Sequence, residues 1–445
     1  MADSRRRDRS GKIPVTIRLK VPAGLSGAEV FRLVESRFDA LARQELDRVY
    51  GVVPVRPPSA QLEELRERGL QLVTLRAFVN PVELEALREE PYVDRISRDV
   101  PVEPFAPAGG VECARTDKAE GTAARVAKEL GATRLWRAGY TGQGIVVGIV
   151  DGGITAHGRP TQFGGWAAIP QEPGTGEVVG GWPGADWGTT AEGWGQHGNM
   201  IAFDVQAIAP EAQLWDIRIW RYDEAFDVYV SNAEAGFRAA IEHYLSYGVP
   251  QILVNAWGLY DSANGREYAF DPQSTLALHV EHALDVGLLI VWAAGNCGDR
   301  CSFSPTSPCG PGDRGPGASI LGPNGHPRVM TVGAATVRGD WCGYTSQGPA
   351  ALPPNDPDKP DFCGVSQFEG FFPNESGLRP YDGGTSAATA VAGGVVALLK
   401  QARPDLTQDE CKRLLKETAR PITTPAAHSG AGAGIIDALR AFRAM

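Results

Sequence analysis

Four polar side chains, far apart in the sequence, have the types that nucleophilic acyl transfer requires. They are Asp151, His197, Asn296 and Ser386. A serine hydroxyl is a poor nucleophile at neutral pH, so it needs a base to take its proton and a carboxylate to orient that base. A side-chain amide can donate a hydrogen bond to the oxyanion that forms when the hydroxyl attacks a carbonyl. The four residues therefore make a candidate catalytic set.

Each of these residues also has a purely structural interpretation. Asp151 and Asn296 follow the apolar runs GIVVGIV and GLLIVWAAG, where turn and cap residues are common. His197 could be an ordinary surface or capping residue, and Ser386 or Thr385 could simply cap the helix predicted after them. At that helix N-terminus, however, free N–H groups and the helix dipole favour developing negative charge. The combination of all four residues favours chemistry over the separate structural interpretations.

The N-terminal part of the chain alternates between strand and helix patterns. IPVTIRLKV, LQLVTLRAFV and YVDRISRDV are predicted strands, and YGVVPV is a possible further one. A capping box at Ser26 and Glu29 precedes an amphipathic stretch that reaches about Arg48, and an Asn-Pro pair begins a second helix. The order β-α-β-α-β predicts a split βαβ sandwich over residues 13–104. Residues 1–12, with their arginine run, are expected to be a disordered start.

The remainder of the chain has a different pattern. Proline, alanine and glycine crowd the stretch PVEPFAPAGGVE, and residues 105–122 are predicted to be a linker. Beyond it, GIVVGIV, QILVNAW, GLLIVWAAG and RVMTVGAA are continuously apolar, which is typical of parallel strands buried on both faces. Helical patterns such as NAEAGFRAAIEHYLSYG lie between several of them. Residues 123–445 are therefore predicted to form a doubly wound α/β domain with a mostly parallel sheet, in which reactive groups gather at the strand ends.

The motifs around the candidate residues resemble those of the subtilases, the subtilisin-like serine proteases. IVVGIVDGGI resembles the Asp motif of the family, GQHGNMIA its His motif, AAGN the segment with the oxyanion Asn, and GGTSAATAVAGGVVALL its Ser motif. The order Asp, His, Ser along the chain is the subtilisin order. AIAPEAQLWDIRIW, HPRVMTVGAA and GAGIIDALRAF also agree, so the resemblance covers roughly residues 125–445.

The resemblance implies an endopeptidase that works through an acyl-enzyme. Ser386 would attack a peptide carbonyl, His197 would take its proton, and Asp151 would hold and stabilise the imidazole. Asn296 and the backbone N–H of Ser386 would stabilise the oxyanion. His157 is nearer to Asp151 in the sequence, but many subtilases carry a histidine just after the Asp motif without using it as the base, and His197 has the helical context, so His197 is the expected base.

The same resemblance implies a protein or peptide substrate that binds extended along strand edges. Trp257 would add bulk beside the cleft and favour apolar substrates, or it would be a core tryptophan. The residues expected to bind substrate are Asn255, Ala256, Trp257, Gly258, Ala293, Ala294 and Gly295.

Residues 13–104 resemble the subtilase propeptide, a ferredoxin-like unit that assists folding and then occupies the active site. The resemblance implies an intramolecular inhibitor that is released by self-cleavage within residues 105–122, with a permanent accessory domain as the alternative.

Two other functions stay open for the whole chain. An amine could intercept the acyl-enzyme, giving transpeptidation or macrocyclisation. A catalytically silent peptide-binding module is also possible, although the complete set of four residues argues against it.

Two substitutions and one short loop depart from the family pattern. Asn199 stands where His-Gly-Thr is usual, and Ala387 stands where a methionine is usual; neither belongs to the predicted triad. Only eleven residues separate His197 from Ala209, which is too few for the calcium-binding insertion found in many subtilisins. No metal or other cofactor is therefore expected to be required. Weak Ca²⁺ binding at the acidic turns GADW and PNDPD is a lesser alternative.

Composition and cysteine usage bound the partners and the compartment. The net charge of −10 gives no reason to expect nucleic acid, and the lack of a long apolar run gives none to expect a membrane span.

No secretory signal pattern is visible, so a cytoplasmic location with reduced thiols is expected. A zinc site lacks an obvious fourth ligand, and a disulfide in the loop after Asn296 is the alternative for oxidising conditions. The seven cysteines are Cys113, Cys297, Cys301, Cys309, Cys342, Cys363 and Cys411.

Overall fold

The structure is a computed structural model that describes most of the chain. Most of the predicted disordered start, most of the predicted linker, Cys113 and Cys301 lie outside the described residues. Those described are 11–105, 119–157, 159, 177–189, 194, 196–220, 228–299, 308–317, 319–371, 381–422 and 430–445.

The N-terminal segment folds around a five-stranded antiparallel sheet in the order β2-β4-β1-β5, with β3 also paired to β4. Strand β1 pairs with both β4 and β5, so that Ile17 lies opposite Leu75 on one side and Ile96 on the other. These three side chains and the apolar face of α1 form one core. The elements are β1 (Ile13–Pro22), α1 (Gly27–Arg37), α2 (Asp39–Ala42), β2 (Glu45–Leu46), β3 (Val53–Val55), α3 (Ser59–Glu67), β4 (Leu70–Val79), α4 (Leu84–Arg88), β5 (Val93–Arg98) and β6 (Pro101–Pro104).

The first helix is shorter than the sequence pattern predicts. The capping box of Ser26 and Glu29 is present, but α1 ends at Arg37 rather than near Arg48. Phe38 leaves the helical conformation, and its ring stacks on Tyr92 with 3.8 Å between ring centroids. This aromatic contact, between residues far apart in the sequence, ends the helix where local propensity would continue it.

The C-terminal part of the chain contains a seven-stranded parallel sheet in the order β15-β14-β13-β11-β7-β9-β8. The prediction of an α/β fold with a mostly parallel sheet is confirmed. The elements are α5 (Ala123–Glu129), α6 (Ala132–Arg137), β7 (Val146–Asp151), β8 (Val178–Trp182), α7 (His197–Ile208), β9 (Gln213–Arg218), β10 (Val228–Tyr229), α8 (Val230–Tyr247), β11 (Ile252–Asn255), β12 (Trp257–Gly258), α9 (Arg266–Phe270), α10 (Thr275–Val286), β13 (Leu289–Ala293), β14 (Met330–Thr336), β15 (Phe362–Ser366), α11 (Gly384–Ala402), α12 (Gln408–Thr418) and α13 (Ala438–Ala444).

The continuous apolar strands serve two cores, one on each face of this sheet. In β7, Val147 and Ile149 pack with α7 and α11, whereas Val146 and Val150 pack with α8 and α10. Both faces are buried, which explains why the strand sequences do not alternate between polar and apolar residues.

Helix α11 packs tightly against the sheet because its small residues remove steric bulk. A Cβ at Gly393 would lie 2.6 Å from a methyl of Val254 in β11, and one at Gly394 would lie 2.6 Å from Cβ of Ile208 in α7. The two glycines thus bring the helix that carries Ser386 close to the strand and the helix that flank the site.

Strand β6 connects the two parts of the chain. It lies between β10 and β12 in a small antiparallel sheet, with Val102 opposite Val228 and Pro104 opposite Trp257. The last residues of the N-terminal segment therefore run along an edge of the C-terminal domain. Among the described residues, no helix is long and apolar enough to cross a membrane.

Candidate active site

Asp151 and His197 form a buried hydrogen-bonded pair. Asp151 ends β7, and His197 is the first residue of α7. The imidazole Nδ1 lies 2.9 Å from Oδ2 and 3.1 Å from Oδ1 of the carboxylate, and both side chains are inaccessible to solvent. The backbone N–H of Gly152 donates to Oδ1 over 2.7 Å, which fixes the carboxylate. With Nδ1–H donated to Asp151, Nε2 is the nitrogen that can accept a proton.

The start of α7 is fixed by Gln196 and by Asn199, the residue that departs from the family pattern. Gln196 adopts the left-handed conformation, with φ of 67°. The side chain of Asn199 accepts the N–H of Thr155 over 2.7 Å and donates to the hydroxyl of Thr155 over 3.0 Å and to Gln196. Asn199 therefore ties the His helix to the loop that follows Asp151.

Ser386 lies in the first turn of α11, where Gly384 has a φ of 74°. Its hydroxyl donates to the carbonyl of Ala256 over 3.1 Å, not to His197. Nε2 of His197 is buried and has no hydrogen-bond partner among the described residues. The structure thus pairs Asp151 with His197 but leaves the Ser–His hydrogen bond unmade, as is common before a substrate is fully engaged.

Asn296 is oriented by the residue that precedes Ser386. Its Oδ1 accepts the backbone N–H of Thr385 over 3.0 Å and the hydroxyl of Thr385 over 2.9 Å. The Thr385 hydroxyl also accepts the N–H of Gly295 over 3.2 Å. Because both contacts hold Oδ1, the Nδ2 group of Asn296 faces the opposite direction, and there it meets a carbonyl of this same chain.

That carbonyl belongs to Phe105, the residue after β6. Asn296 Nδ2 donates to the Phe105 oxygen over 2.7 Å. The Phe105 N–H donates to the carbonyl of Ala256 over 2.8 Å, so Ala256 holds Phe105 and Ser386 through the same oxygen. Phe105 therefore lies in an extended segment, with its carbonyl against the amide that could stabilise an oxyanion.

The Phe105 ring fills an apolar pocket. Its walls are Tyr260, Ala293 and the sulfur-linked pair Cys297 and Cys309. Gly258 and Gly295 also border the ring, and a Cβ at Gly258 would meet it at 2.4 Å. The sequence did not single out Phe105 or Tyr260, because neither stands in a recognisable motif.

The other residues predicted to bind substrate divide between backbone and core positions. Trp257 pairs with Pro104 through its backbone, while its indole is fully buried against Trp292 with 4.9 Å between ring centroids. The indole is thus a core side chain. The side-chain amide of Asn255 donates to two sheet carbonyls, each at 3.5 Å. The backbone N–H of Ala294 donates to the carbonyl of Val332 in β14.

The buried carboxyl group of Asp216 supports the loop after Asp151. Asp216 in β9 accepts the N–H of Gly188 over 2.6 Å and that of Ile154 over 3.3 Å. Burial raises the pKa of Asp216 to about 8, while the two N–H groups and the nearby Arg218 oppose the rise. Charged residues at alternate positions of an apolar strand, in LWDIR, are the sequence signal that indicates this support.

Two of the cysteines are joined in a disulfide. The bond links Cys297 to Cys309, whereas the described thiols of Cys342, Cys363 and Cys411 are free and buried. The expectation of reduced thiols is wrong for the bonded pair, whose Cα atoms lie 5.9 Å apart. Disulfides are more typical of oxidising compartments, and the cytoplasmic location stays a prediction.

The N-terminal domain packs on α8 and α10 through polar and apolar contacts. Asp99 accepts the N–H and hydroxyl of Ser231 over 3.0 and 2.7 Å, and the Tyr50 hydroxyl donates to Glu234 over 3.1 Å. Leu278 packs with apolar side chains of this domain. Burial, followed by the charge of Asp99, raises the pKa of Glu234 to about 8. Titratable groups are therefore enclosed where the two parts of the chain meet.

Within the described part of the chain, no group of three or more His, Cys, Asp or Glu side chains is arranged to hold a metal ion. The acidic turns named from the sequence contribute no such group there.

Comparison with known proteins agrees with this geometry. The Subtilase family model matches residues 142–434. Mycosin-1 of Mycobacterium tuberculosis is 27% identical over 345 residues, which cover 68% of this chain and 69% of that protein. Subtilisin BL of Lederbergia lenta is 26% identical over 314 residues, which cover 68% of this chain and 93% of that protein.

Among solved structures, fervidolysin from Fervidobacterium pennivorans, described as a keratinolytic enzyme related to subtilisin, has the same fold. The TM-score is 0.56 at 18% identity, over 97% of this chain and 61% of fervidolysin. Since the family match spans most of the C-terminal domain, this chain belongs to the subtilase family and is a subtilisin-like serine peptidase.

Proposed function

We propose that this chain is a serine endopeptidase that uses Asp151, His197 and Ser386, and that it cuts itself after Phe105. The observation that carries the proposal is the position of Phe105, whose carbonyl accepts a hydrogen bond from Asn296 over 2.7 Å while its N–H pairs with Ala256. Phe105 thus has the contacts expected of the substrate residue that lies on the N-terminal side of the cleaved bond.

The reaction begins with a rotation of the Ser386 side chain. Its hydroxyl leaves the carbonyl of Ala256 and turns to the unpartnered Nε2 of His197. The oxygen then attacks the carbonyl carbon of Phe105 as Nε2 takes the proton. Asp151, bonded to Nδ1, stabilises the imidazolium.

The negative charge that develops on the Phe105 oxygen is stabilised by Asn296 and by the backbone N–H of Ser386. A single oxyanion donor of this kind contributes roughly 100- to 1,000-fold to kcat. His197 then gives its proton to the amine of Ala106, and the bond between Phe105 and Ala106 breaks. Water releases Phe105 from the acyl-enzyme by the reverse sequence of proton transfers.

After cleavage, residues 13–105 act as an intramolecular inhibitor. Strand β6 stays paired on both edges, and Asp99 and Tyr50 keep their bonds to Ser231 and Glu234. The new carboxylate of Phe105 remains against Asn296 and blocks the site. Activity toward other proteins then requires release of this domain. No step uses a metal, so we expect the reaction to proceed in EDTA.

The proposal is tested by incubating the purified full chain and identifying the fragments by mass and N-terminal sequencing. We expect a new N-terminus at Ala106 in the wild type, none in Ser386→Ala, and wild-type behaviour in Ser246→Ala, which changes an exposed serine on α8. Once the N-terminal domain has been released after cleavage, fluorophosphonate should label the wild type and Ser246→Ala, whereas Ser386→Ala should take up no label.

Three outcomes would overturn the proposal or replace it. Absence of both cleavage and label in the wild type indicates a silent peptide-binding module. Cleavage that persists in Ser386→Ala assigns it to another protease. Products joined to an added amine, identified by mass, indicate a transpeptidase instead of a hydrolase.

A further inference from the structure

Helix α7 carries a single acidic residue, Asp204, and this residue is fully buried. It lies seven residues, about two turns, after His197. Its side chain is hydrogen-bonded to that of Asp382, which is also fully buried and lies four residues before Ser386. Two carboxyl groups, called the carboxyl pair below, thus meet between the helix that carries the base and the turn that carries the nucleophile.

A proton must join the carboxyl pair, because ionised carboxylates can only accept hydrogen bonds. No N–H or hydroxyl group of the described residues donates to either side-chain oxygen of Asp204. In contrast, Asp382 accepts the backbone N–H of Phe371 over 2.6 Å. A donor of this kind favours the ionised form of its acceptor. Asp204 is therefore the acid that donates, and Asp382 is the carboxylate that accepts.

We propose, on the basis of the function proposed above, that Asp204 and Asp382 are positioning residues for catalysis. The proton held between them keeps His197 and Ser386 at their working separation. Its loss in alkaline solution drives the two carboxylates apart and displaces the base from the nucleophile. Both members of the pair are buried, so they act through the triad and not on the substrate.

Asp382 is fixed to its own turn by the backbone around it. Its N–H donates to the carbonyl of Phe368, and its carbonyl accepts the N–H of Gln367, each over 2.9 Å. A Cβ at Gly370 would lie 2.2 Å from Oδ2 of Asp382, so a glycine there lets the carboxylate reach the N–H of Phe371. A displacement of this carboxylate therefore displaces the turn that leads into α11.

Asp204 is fixed by the close packing of α7 against α11. A Cβ at Gly394 would lie 2.7 Å from the carbonyl oxygen of Val205 and 2.6 Å from Cβ of Ile208. These contacts lie eight residues beyond Ser386 and involve small and apolar groups. The carboxyl pair is a polar contact closer to the catalytic end of both helices, and a satisfied buried polar contact fixes how two elements are placed.

The pair is sensitive to alkali because it is buried. Burial, followed by the charge of Asp382, raises the pKa of Asp204 well above its usual range. A second ionisation would place two like charges side by side without water between them. Because the pKa is raised in the folded state, the hydrogen bond is present at low pH and is lost as pH rises through the raised value. We therefore expect kcat to fall on the alkaline side.

Other charged groups on the elements around the pair have partners of their own or contact solvent. His197 is bonded to Asp151, and Glu120 lies 3.9 Å from Arg338. The charge that raises the pKa of Asp204 is that of its partner in the pair. The remaining groups are exposed or half-buried, namely Tyr381 and Glu369 near the turn and Arg125, Lys128 and Glu129 on α5.

The first test is spectroscopic and does not depend on activity. A protonated carboxyl group has an infrared C=O band separate from that of a carboxylate. We expect Asp204→Asn, introduced into the uncut Ser386→Ala protein at neutral pH, to remove one such band. Asp405→Asn, an exposed residue between α11 and α12, should remove none. If the Asp204→Asn difference spectrum shows no protonated carboxyl group, the proposal is overturned, whether or not the chain is an enzyme.

The second test is the pH dependence of kcat between about pH 6 and 10. Self-cleaved protein is given the quenched peptide Pro-Val-Glu-Pro-Phe-Ala, and active sites are counted by fluorophosphonate labelling at the same pH. We expect the wild-type kcat to fall roughly tenfold per pH unit above the raised pKa. Asp204→Asn should abolish that fall, because its amide can donate to Asp382 at any pH. Asp405→Asn should follow the wild type.

Asp204→Ala separates positioning from the charge effect. We expect it to lower kcat at the wild-type pH optimum roughly tenfold with KM changed less than about twofold, and asparagine at the same position to restore most of kcat. Circular dichroism and thermal unfolding of each variant identify any loss of the fold.

Three kinetic results would overturn the proposal. They are a wild-type kcat that stays constant to about pH 10, an alkaline fall that persists in Asp204→Asn, and a wild-type kcat in Asp204→Ala. If the wild type neither cuts the peptide nor takes up label, the proposed function fails instead, and the infrared spectrum still decides whether the pair holds a proton.

Discussion

The side-chain amide of Asn296 donates to the carbonyl oxygen of Phe105 over 2.7 Å, although the two residues are 191 positions apart. This contact joins the end of the N-terminal segment to the groups that could stabilise a tetrahedral intermediate. The segment that ends at Phe105 is therefore bound as a peptide within its own chain. Its strand pairing and side-chain contacts indicate how the site would hold a substrate.

Replacing Asn296 by alanine tests the oxyanion role. We expect Asn296→Ala to slow self-cleavage roughly 100- to 1,000-fold, because the donor to the Phe105 oxygen is lost. The rate is measured from the time course of fragment formation. Asn264→Ala, in an exposed turn, should leave the rate unchanged. A rate within twofold of the wild type in Asn296→Ala would assign stabilisation of the intermediate to other groups.

Thr385 is expected to act as a positioning residue for Asn296. Thr385→Val keeps the backbone N–H and the shape but removes the hydroxyl that bonds Oδ1 over 2.9 Å. A neutral hydrogen bond of this kind contributes about 1 kcal/mol, so we expect kcat to fall roughly fivefold with little change in KM, and Thr385→Ser to restore it. Thr389→Val, one turn along α11, is the control; an equal loss there would indicate a general effect on the helix.

Gly198 allows the close approach of the His helix to the loop after Asp151. A Cβ at this position would lie 2.3 Å from the carbonyl oxygen of Gly153 and 3.3 Å from Oδ1 of Asp151. We therefore expect Gly198→Ala to displace His197 and to reduce the self-cleavage rate by roughly 100-fold, the usual consequence of a misplacement of about 1 Å.

The control for this prediction is Gly184→Ala, since a Cβ at Gly184 would meet no atom within 4 Å. Circular dichroism and thermal unfolding of both variants separate local misplacement from loss of the fold. Wild-type activity in Gly198→Ala would show that the helix can move without disturbing the Asp–His pair.

The fold could be predicted because its signals are local. Continuous apolar runs identify strands buried on both faces, and the ends of three neighbouring strands carry Asp151, Asn255 and the segment before Asn296. The Asp and His motifs lie in the strand and helix that the sequence pattern predicts, and the pair they form depends on a sheet topology common to many α/β domains.

The resemblance to the propeptide implied that the N-terminal unit occupies the active site, but the residue that binds and its contacts could not be predicted, because those contacts are distant in the sequence. The stretch around Phe105 contains proline and glycine and therefore indicates a linker, whereas Phe105 and β6 are ordered by pairing with β10 and β12. The disulfide is similar: three nearby cysteines allow several pairings, and only the folded loop selects Cys297 and Cys309. The end of α1 likewise depends on Tyr92.

The pH dependence of inhibitor release is expected to follow Glu234. Its carboxyl, bonded to Tyr50 and near Asp99 and Arg18, has a pKa raised to about 8 by burial, against an ordinary value of 4.5. Docking therefore takes up a proton. Through Glu234 alone, docking is strongest below pH 4.5 and weakens as pH rises toward 8, by up to roughly tenfold per pH unit.

Other groups at the same surface limit the useful pH range. Burial also raises the pKa of Asp99, which adds to the effect in the same direction. Burial lowers the pKa of His279 in α10 to about 3 from 6.5, and this would weaken docking in acid. Between pH 7 and 8 His279 is mostly neutral in either state, so the carboxyl groups determine the sign in that window.

The measurement is the fraction of the N-terminal fragment that separates from the self-cleaved protein on size exclusion at pH 7, 7.5 and 8, where His279 is mostly neutral and the raised pKa of Glu234 still matters. We expect the fraction to rise with pH in the wild type and to change much less in Glu234→Gln, which can still accept the hydrogen bond of Tyr50. Glu242→Gln, on the exposed side of α8, should follow the wild type. If Glu234→Gln keeps the full pH dependence, the proton is taken up elsewhere, and Asp99 is the group to replace next.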